Sequence, residues 1–306
     1  MSICLKIASV LATFALSQNA LAQCTGGAAT VAANAGGVEY ARGTPKAVDV
    51  NDGGKIVRLN YLKAGNQAIY EGDIIIGDAD QLDFASQAGP IFLYHQTGNE
   101  ITPFGLMAKS VLFGSRKWTN NTVPFVIDPN LPAADLVLQS MKAWMDVTKV
   151  RFVERMAGNA SSHPNYVYFT NGTNPYACLS AGLGMMGGRQ NVELVSGCGF
   201  GQIVHEIGHV LGLDHEQNRS DRNAFVQVHF ENMVSGYRGQ FEQRPSAYKD
   251  IGSYDFDSIM HYEPSAFSCN GQPTITSSVS LPPGVQLGQR THISQGDIAA
   301  INGIYK

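Results

Sequence analysis

The run "HEIGHVLGLDHE" places His205, Glu206, His209, Gly212, His215 and Glu216 close together in the chain. Residues four apart on an α-helix differ by about 40° in azimuth, so His205 and His209 project from one face and two imidazoles can reach one ion. Gly212 can take the left-handed conformation that other residues avoid, ending the helix and bringing His215 back to the same ion. Three neutral ring nitrogens make an open zinc site with room for a water, whereas a structural zinc would usually gain a fourth protein ligand. Glu206, beside the first ligand, is placed to take a proton from that water. Zinc lowers the water's pKa to about 7 and polarises a substrate carbonyl. The chemistry expected of these residues is peptide-bond hydrolysis with one zinc ion per chain.

Several elements must hold these groups in place. "FGQIVHEIGHVLGL" is apolar enough to be a buried helix ended by Gly212. Ahead of it, "KWTNNTVPFVID" reads as a strand in which Pro124 suggests an edge position. A helix is expected next, with Pro132 in its first turn and Val137, Met141, Trp144, Met145 and Thr148 on one face. "VRFVER", "NYVYFT" and "NVELV" read as short strands, and "SAGLGMMGG" as a glycine-rich loop. The closing "SQGDIAAINGIY" has Ser294 and Asp297 as a capping pair and a stripe of Ile298, Ile301 and Tyr305. The stretch from Cys24 to about Gly65 is rich in Gly, Ala, Asn and Asp without a sustained period, and is expected to be loosely ordered. The fold class expected is α+β.

Composition narrows the setting. The 306 residues are 44% apolar, enough for a sizeable core, and 21 basic against 25 acidic residues give a net charge of -4. No basic stripe interleaves with aromatics, which argues against a nucleic-acid partner. Lys6, the apolar run from Ile7 to Leu16 and the pattern Ala20-Leu21-Ala22 read as a secretory signal over residues 1–22. No later window is apolar enough for a membrane span. The chain is therefore expected to be exported, to the outside or to a periplasm. Removing the signal leaves Cys24, Cys178, Cys198 and Cys269, with three possible pairings in an oxidising compartment. Upstream, "AIYEGDIIIGD" sets Glu71, Gly72 and Asp73 ahead of three isoleucines. By itself this is hairpin-corner chemistry.

"HEIGHVLGLDHEQNRSDR", including Glu216, resembles the zinc signature of the astacin family of metzincin metalloproteases. "SIMHY", from Ser258 to Tyr262, is similar to that family's Met-turn, and the resemblance extends from about Lys117 to Tyr305. It implies two subdomains: a twisted, mostly parallel sheet with two long helices above the cleft, and an irregular lower part ending in a helix. Met260 would be the floor of the site, and Tyr262 a fifth, movable zinc ligand able to hydrogen-bond the oxyanion. Cys178 and Cys198 match a disulfide of the family. Its other disulfide is missing at both ends, since Lys149 takes the first place and the chain stops at Lys306 without a cysteine. "YEGD", residues 70–73, is similar to the propeptide segment that in this family puts an aspartate on the zinc, which makes Asp73 the candidate zymogen latch. A Cys24 thiolate is the rival latch, unless Cys24 and Cys269 form a disulfide.

After the signal at 1–22, the resemblance implies a propeptide at 23–108 and a catalytic domain at 109–306, with no module expected beyond it. The amino group freed near Lys109 would reach Glu216. Protein or peptide substrates would bind extended, adding a strand to the sheet edge ahead of the active-site helix. Arg290 is a candidate partner for an acidic side chain after the scissile bond. An activating protease or self-cleavage would release the latch.

Overall fold

The computed structural model describes residues 39–52, 55–87, 89, 91–93, 117–244 and 250–306. The signal stretch, Cys24 and the junction near Lys109 lie outside these residues. The upper part of the 117–306 stretch is built on β6 (Thr122–Ile127), β7 (Arg151–Glu154), β8 (Tyr166–Asn171), β9 (Leu179–Ala181) and β10 (Arg189–Leu194). β10, β8, β6 and β7 run parallel in that order, and β9 joins β10 antiparallel. This part of the sheet is mostly parallel, as expected.

Pro124 is not on an edge, because β6 lies between β8 and β7. The reason is local. The Phe125 carbonyl accepts from Arg155 N on the β7 side, at 2.7 Å, so the polar groups of Pro124 face β8. Pairing with β8 begins only at Phe125, so no ladder bond is lost to the proline.

Two helices cover the sheet, α2 (Ala134–Val147) and α3 (Phe200–Leu211). Val137, Met141 and Trp144 form the buried face of α2, which begins two residues after Pro132. Trp144 Nε1 donates to the Val204 carbonyl of α3 at 3.0 Å. The last carbonyls of α3 lack partners within the helix, and the sequence supplies them from a distance. Trp118 Nε1 donates to Val210 O at 2.8 Å and the Tyr305 hydroxyl to Leu211 O at 3.0 Å. Tyr305 follows α4 (Gln295–Ile304), where Ser294 and Asp297 form the expected capping box. Cys178 and Cys198 are joined in a disulfide. Lys149 N donates to Asn302 Oδ1 at 3.2 Å, so a hydrogen bond ties Lys149 to the last helix without a disulfide.

The lower part has little regular structure beyond the pair β11 (Val226–Val228) and β12 (Ile275–Ser277). Its core is aromatic, with Tyr237, Phe241, Tyr262 and Phe267 in one cluster.

The upstream stretch departs most from expectation. It forms β1 (Thr44–Asp52), β2 (Lys55–Ala64), β3 (Gln67–Tyr70), β4 (Ile74–Asp78), α1 (Ala79–Ser86) and β5 (Ile91–Leu93). β1 and β2 pair antiparallel from Thr44↔Lys63 to Asp52↔Lys55, where a loosely ordered stretch was expected. Val48, Val50, Leu59 and Tyr61 alternate onto one buried face, a period of two carried by few residues among many polar ones. β4 pairs with β9 in parallel, extending the sheet to ten strands in the order β5-β1-β2-β3-β4-β9-β10-β8-β6-β7.

Gly201, in the first turn of α3, shows how tightly this helix is seated: a Cβ there would lie 1.8 Å from the backbone oxygen of Arg290. Ala in place of Gly gains about 1 kcal/mol of helix propensity. Overpacking against backbone costs about 1–3 kcal/mol or more and outweighs it. Gly201→Ala is expected to lower unfolding stability in a denaturant titration; an unchanged or raised midpoint would show that the contact gives way.

Candidate metal centre

Gly212 ends α3 at φ 100°, and the amides of Gly212 and Leu213 return to His209 O and Gly208 O, both at 2.9 Å. That left-handed turn brings His215 beside the two helix histidines. Ring centroids are 4.7 Å apart for His205–His209, 5.3 Å for His205–His215 and 4.7 Å for His209–His215. Each Nδ1 is fixed by an acceptor: Ile259 O at 2.8 Å for His205, Leu213 O at 2.9 Å for His209, and Glu71 Oε2 at 3.0 Å for His215. An Nδ1 that donates leaves its Nε2 as a bare lone pair. All three Nε2 atoms face Asp73, with Oδ2 3.2 Å from His205 and 3.0 Å from His215, and Oδ1 3.6 Å from His209.

The chemistry of these donors tests whether a metal fits. Lone pairs and a carboxylate facing each other in a dry site repel unless a cation lies between them. His209 Nε2 and Asp73 Oδ1 are buried with no hydrogen-bond partner. Donors about 2.0–2.1 Å from a tetrahedral zinc stand about 3.3 Å apart, and the observed spacings bracket that value. Three imidazoles and a carboxylate are a zinc set. Glu206, on the same helix, is also buried, and its Oε2 has no partner. Burial, followed by the negative charge of Asp73 and Glu39, pushes its carboxyl well above the usual range.

Asp73 is delivered by a tight turn between β3 and β4. Glu71 and Gly72 both have positive φ, 48° and 79°. A Cβ on Gly72 would lie 2.7 Å from Phe267 Cζ, so the turn can approach only as glycine. Gly72 N donates to Gln240 Oε1 at 2.9 Å. Arg244 Nη1 pairs with Glu71 Oε1 at 2.9 Å, and the same guanidinium contacts the Tyr70 hydroxyl and Asp214. Glu71 and Asp73 thus bracket His215 from its two nitrogens. The sequence reading noted Glu71 but gave no sign of Arg244 or Gln240, since neither stands in a motif.

The remaining candidates fall as follows. Met260 lies under α3, with its Sδ 2.5 Å from where a Cβ on Gly208 would be. The Tyr262 ring is 4.7 Å from that of His215, and its hydroxyl donates to the Glu71 carbonyl. Glu216 accepts from Asp255 N at 2.7 Å and lies 3.5 Å from Arg219. Burial pushes its carboxyl up to about 8. Arg290 is largely buried, pairs with Glu39, and donates to Ile259 O at 2.8 Å and His261 O at 3.1 Å. Sequence reasoning missed Glu39. Cys269 is disulfide-bonded.

The family model described as Astacin (Peptidase family M12A) matches residues 111–306. Protein SpAN of Strongylocentrotus purpuratus is 36% identical over 204 residues, covering 65% of this chain and 32% of that protein. The Bone morphogenetic protein 1 homolog of the same organism is 38% identical over 200 residues, 62% of this chain and 31% of that protein. The chain thus spans about a third of the length of these relatives. The structure of High choriolytic enzyme 1, a hatching enzyme zinc-protease from Oryzias latipes (Medaka fish), superposes with a TM-score of 0.54 at 32% identity. That match covers 63% of this chain and 94% of the other. With well over half of its length matched, the chain belongs to the astacin family of zinc metallopeptidases, peptidase family M12A.

Proposed function

We propose that the chain is a secreted zinc endopeptidase made in latent form, with Asp73 as the latch. The observation that carries this reading is the convergence of the three histidine Nε2 atoms on the Asp73 carboxylate. Residues 1–22 would direct export, 23–108 form the propeptide, and 109–306 form the catalytic domain, freed near Lys109 by an activating protease or by self-cleavage. Among the described residues no helix is long and apolar enough to cross a membrane.

His205, His209 and His215 would hold the zinc, with Tyr262 as a movable further ligand. The ion supplies Lewis acidity, polarising the scissile carbonyl and lowering the pKa of a water to about 7. Glu206 takes a proton from the attacking water and returns it to the leaving amine. The Tyr262 hydroxyl, bonded to Glu71 in the closed form, is freed to donate to the oxyanion when the turn departs. A protein or peptide substrate would take the β9 edge that β4 holds in the closed form. Arg290, held by Glu39 in the closed form, would face an acidic side chain of the substrate. Glu216 would meet the new amino group, while Met260 and the Cys178–Cys198 bridge support the site.

In the full-length chain, Asp73→Ala is expected to cleave casein without trimming, and a chelator or added Glu206→Gln should abolish that cleavage. If Asp73→Ala stays latent while Cys24→Ala becomes active, the thiolate is the latch instead. Breaking one side of a buried ion pair costs about 3–5 kcal/mol. Arg244→Leu, which strands Glu71, is therefore expected to raise the basal hydrolysis rate of the untrimmed chain by about a hundredfold or more, and no rise would remove Arg244 from the latch.

A further inference from the structure

We infer that residues 39–93 stay docked on residues 117–306 after the chain between them is cut. The docked segment acts as a noncovalent inhibitor, so hydrolysis at the junction alone leaves the cleft closed. The inhibitory half of this inference rests on the proteolytic reading above; the docking half does not.

Much more than Asp73 joins the two stretches. Leu62 and Ile69 are fully buried, and with Tyr40 they belong to the same apolar cluster as Tyr237, Phe241 and Phe267. The Tyr40 ring lies 4.8 Å from that of Tyr262 and 4.9 Å from that of Phe267. In the other direction, Leu183 enters the upstream core beside Ile74 and Leu82. The lower core of the 117–306 stretch and the core of the upstream stretch are each completed by side chains from across the boundary. The sheet is continuous across the boundary, with Ile74↔Ser180 and Ile75↔Ala181 in register. The surfaces meet at backbone distance: a Cβ on Gly239 would lie 2.3 Å from Asn60 Cβ, and one on Gly236 2.6 Å from Pro45 Cγ. Two arginines of the 117–306 stretch, the largely buried Arg290 and the buried Arg244, have carboxylate partners upstream in Glu39 and Glu71.

Magnitudes decide what a cut does. A linker of moderate length supplies an effective concentration on the order of 1 mM. Cutting it releases a segment only if the dissociation constant approaches that value. Each fully buried side chain of the size of Leu62, Ile69 or Tyr40 multiplies an association constant by about ten- to a hundredfold. Three such anchors, a shared sheet and two buried ion pairs place the contact far below millimolar dissociation. Activation would then require destruction of the segment's own fold as well as a break behind it.

The test uses the full-length chain, zinc present, carrying Cys269→Ser so that no disulfide can join the fragments, with the recognition sequence of a sequence-specific protease in place of residues 104–110, cut to completion. In size exclusion at about 1 µM the two fragments are expected to elute together, and casein hydrolysis to stay within about twofold of the uncut chain. The same cut chain carrying Leu62→Ala and Ile69→Ala is expected to release the segment at least about 30-fold faster, with hydrolysis appearing as it leaves. Separate elution of the otherwise unaltered fragments would overturn the docking. Coelution accompanied by full hydrolysis would overturn the inhibition. Coelution, with no hydrolysis even after the altered segment has left, would support the docking and sink the proteolytic reading.

Discussion

Everything in the cleft depends on three lone pairs that must point at one place. An imidazole rotates freely until its other nitrogen is bonded, and here the bonds come from Ile259, Leu213 and Glu71. Two of these acceptors are backbone carbonyls on either side of the site, so the fold itself sets the ring orientations. The third is a carboxylate from far upstream. His215 is therefore oriented by a residue of the same turn that delivers Asp73, and the metal centre and its cover are built as one polar cluster.

The cost of burying that cluster is spread over paired groups. A carboxylate, a glutamate and an arginine in a dry interior are unfavourable singly and tolerable in combination. Arg244 touches Glu71 and Asp214, and Asp214 is next to His215 in sequence, so the charges form a chain ending at the histidines. Removing the upstream turn would leave Arg244 with Asp214 and take the Asp73 carboxylate away from the histidines. The closed arrangement is specific because nearly every member has two partners.

The convergence of His205 and His209, with Glu206 beside them, was legible in the sequence because helix geometry converts spacing directly into direction. Gly212 was legible for the same reason. Asp73 could be assigned only through the resemblance to a family, since its own neighbourhood reads as an ordinary corner. The groups that hold the corner could not be read at all. Gly72 and Gln240 are 168 residues apart, and Glu39 meets Arg290 across most of the chain. Such pairs leave no periodic trace. The β1–β2 hairpin was missed because its alternation is short and sits in a glycine- and asparagine-rich stretch. Pro124 misled because a strand can hide a proline where its neighbour has not yet begun to pair.

β9 has only three residues, and two register pairs hold it to β10. With β4 alongside, it is an interior strand bonded on both sides. Without β4 it becomes a short edge, the softest wall of the cleft, whose backbone groups must be met by water or by another extended chain. β4 thus makes rigid a surface that would be compliant without it, and an extended peptide settling there in its place would stiffen the wall as it binds.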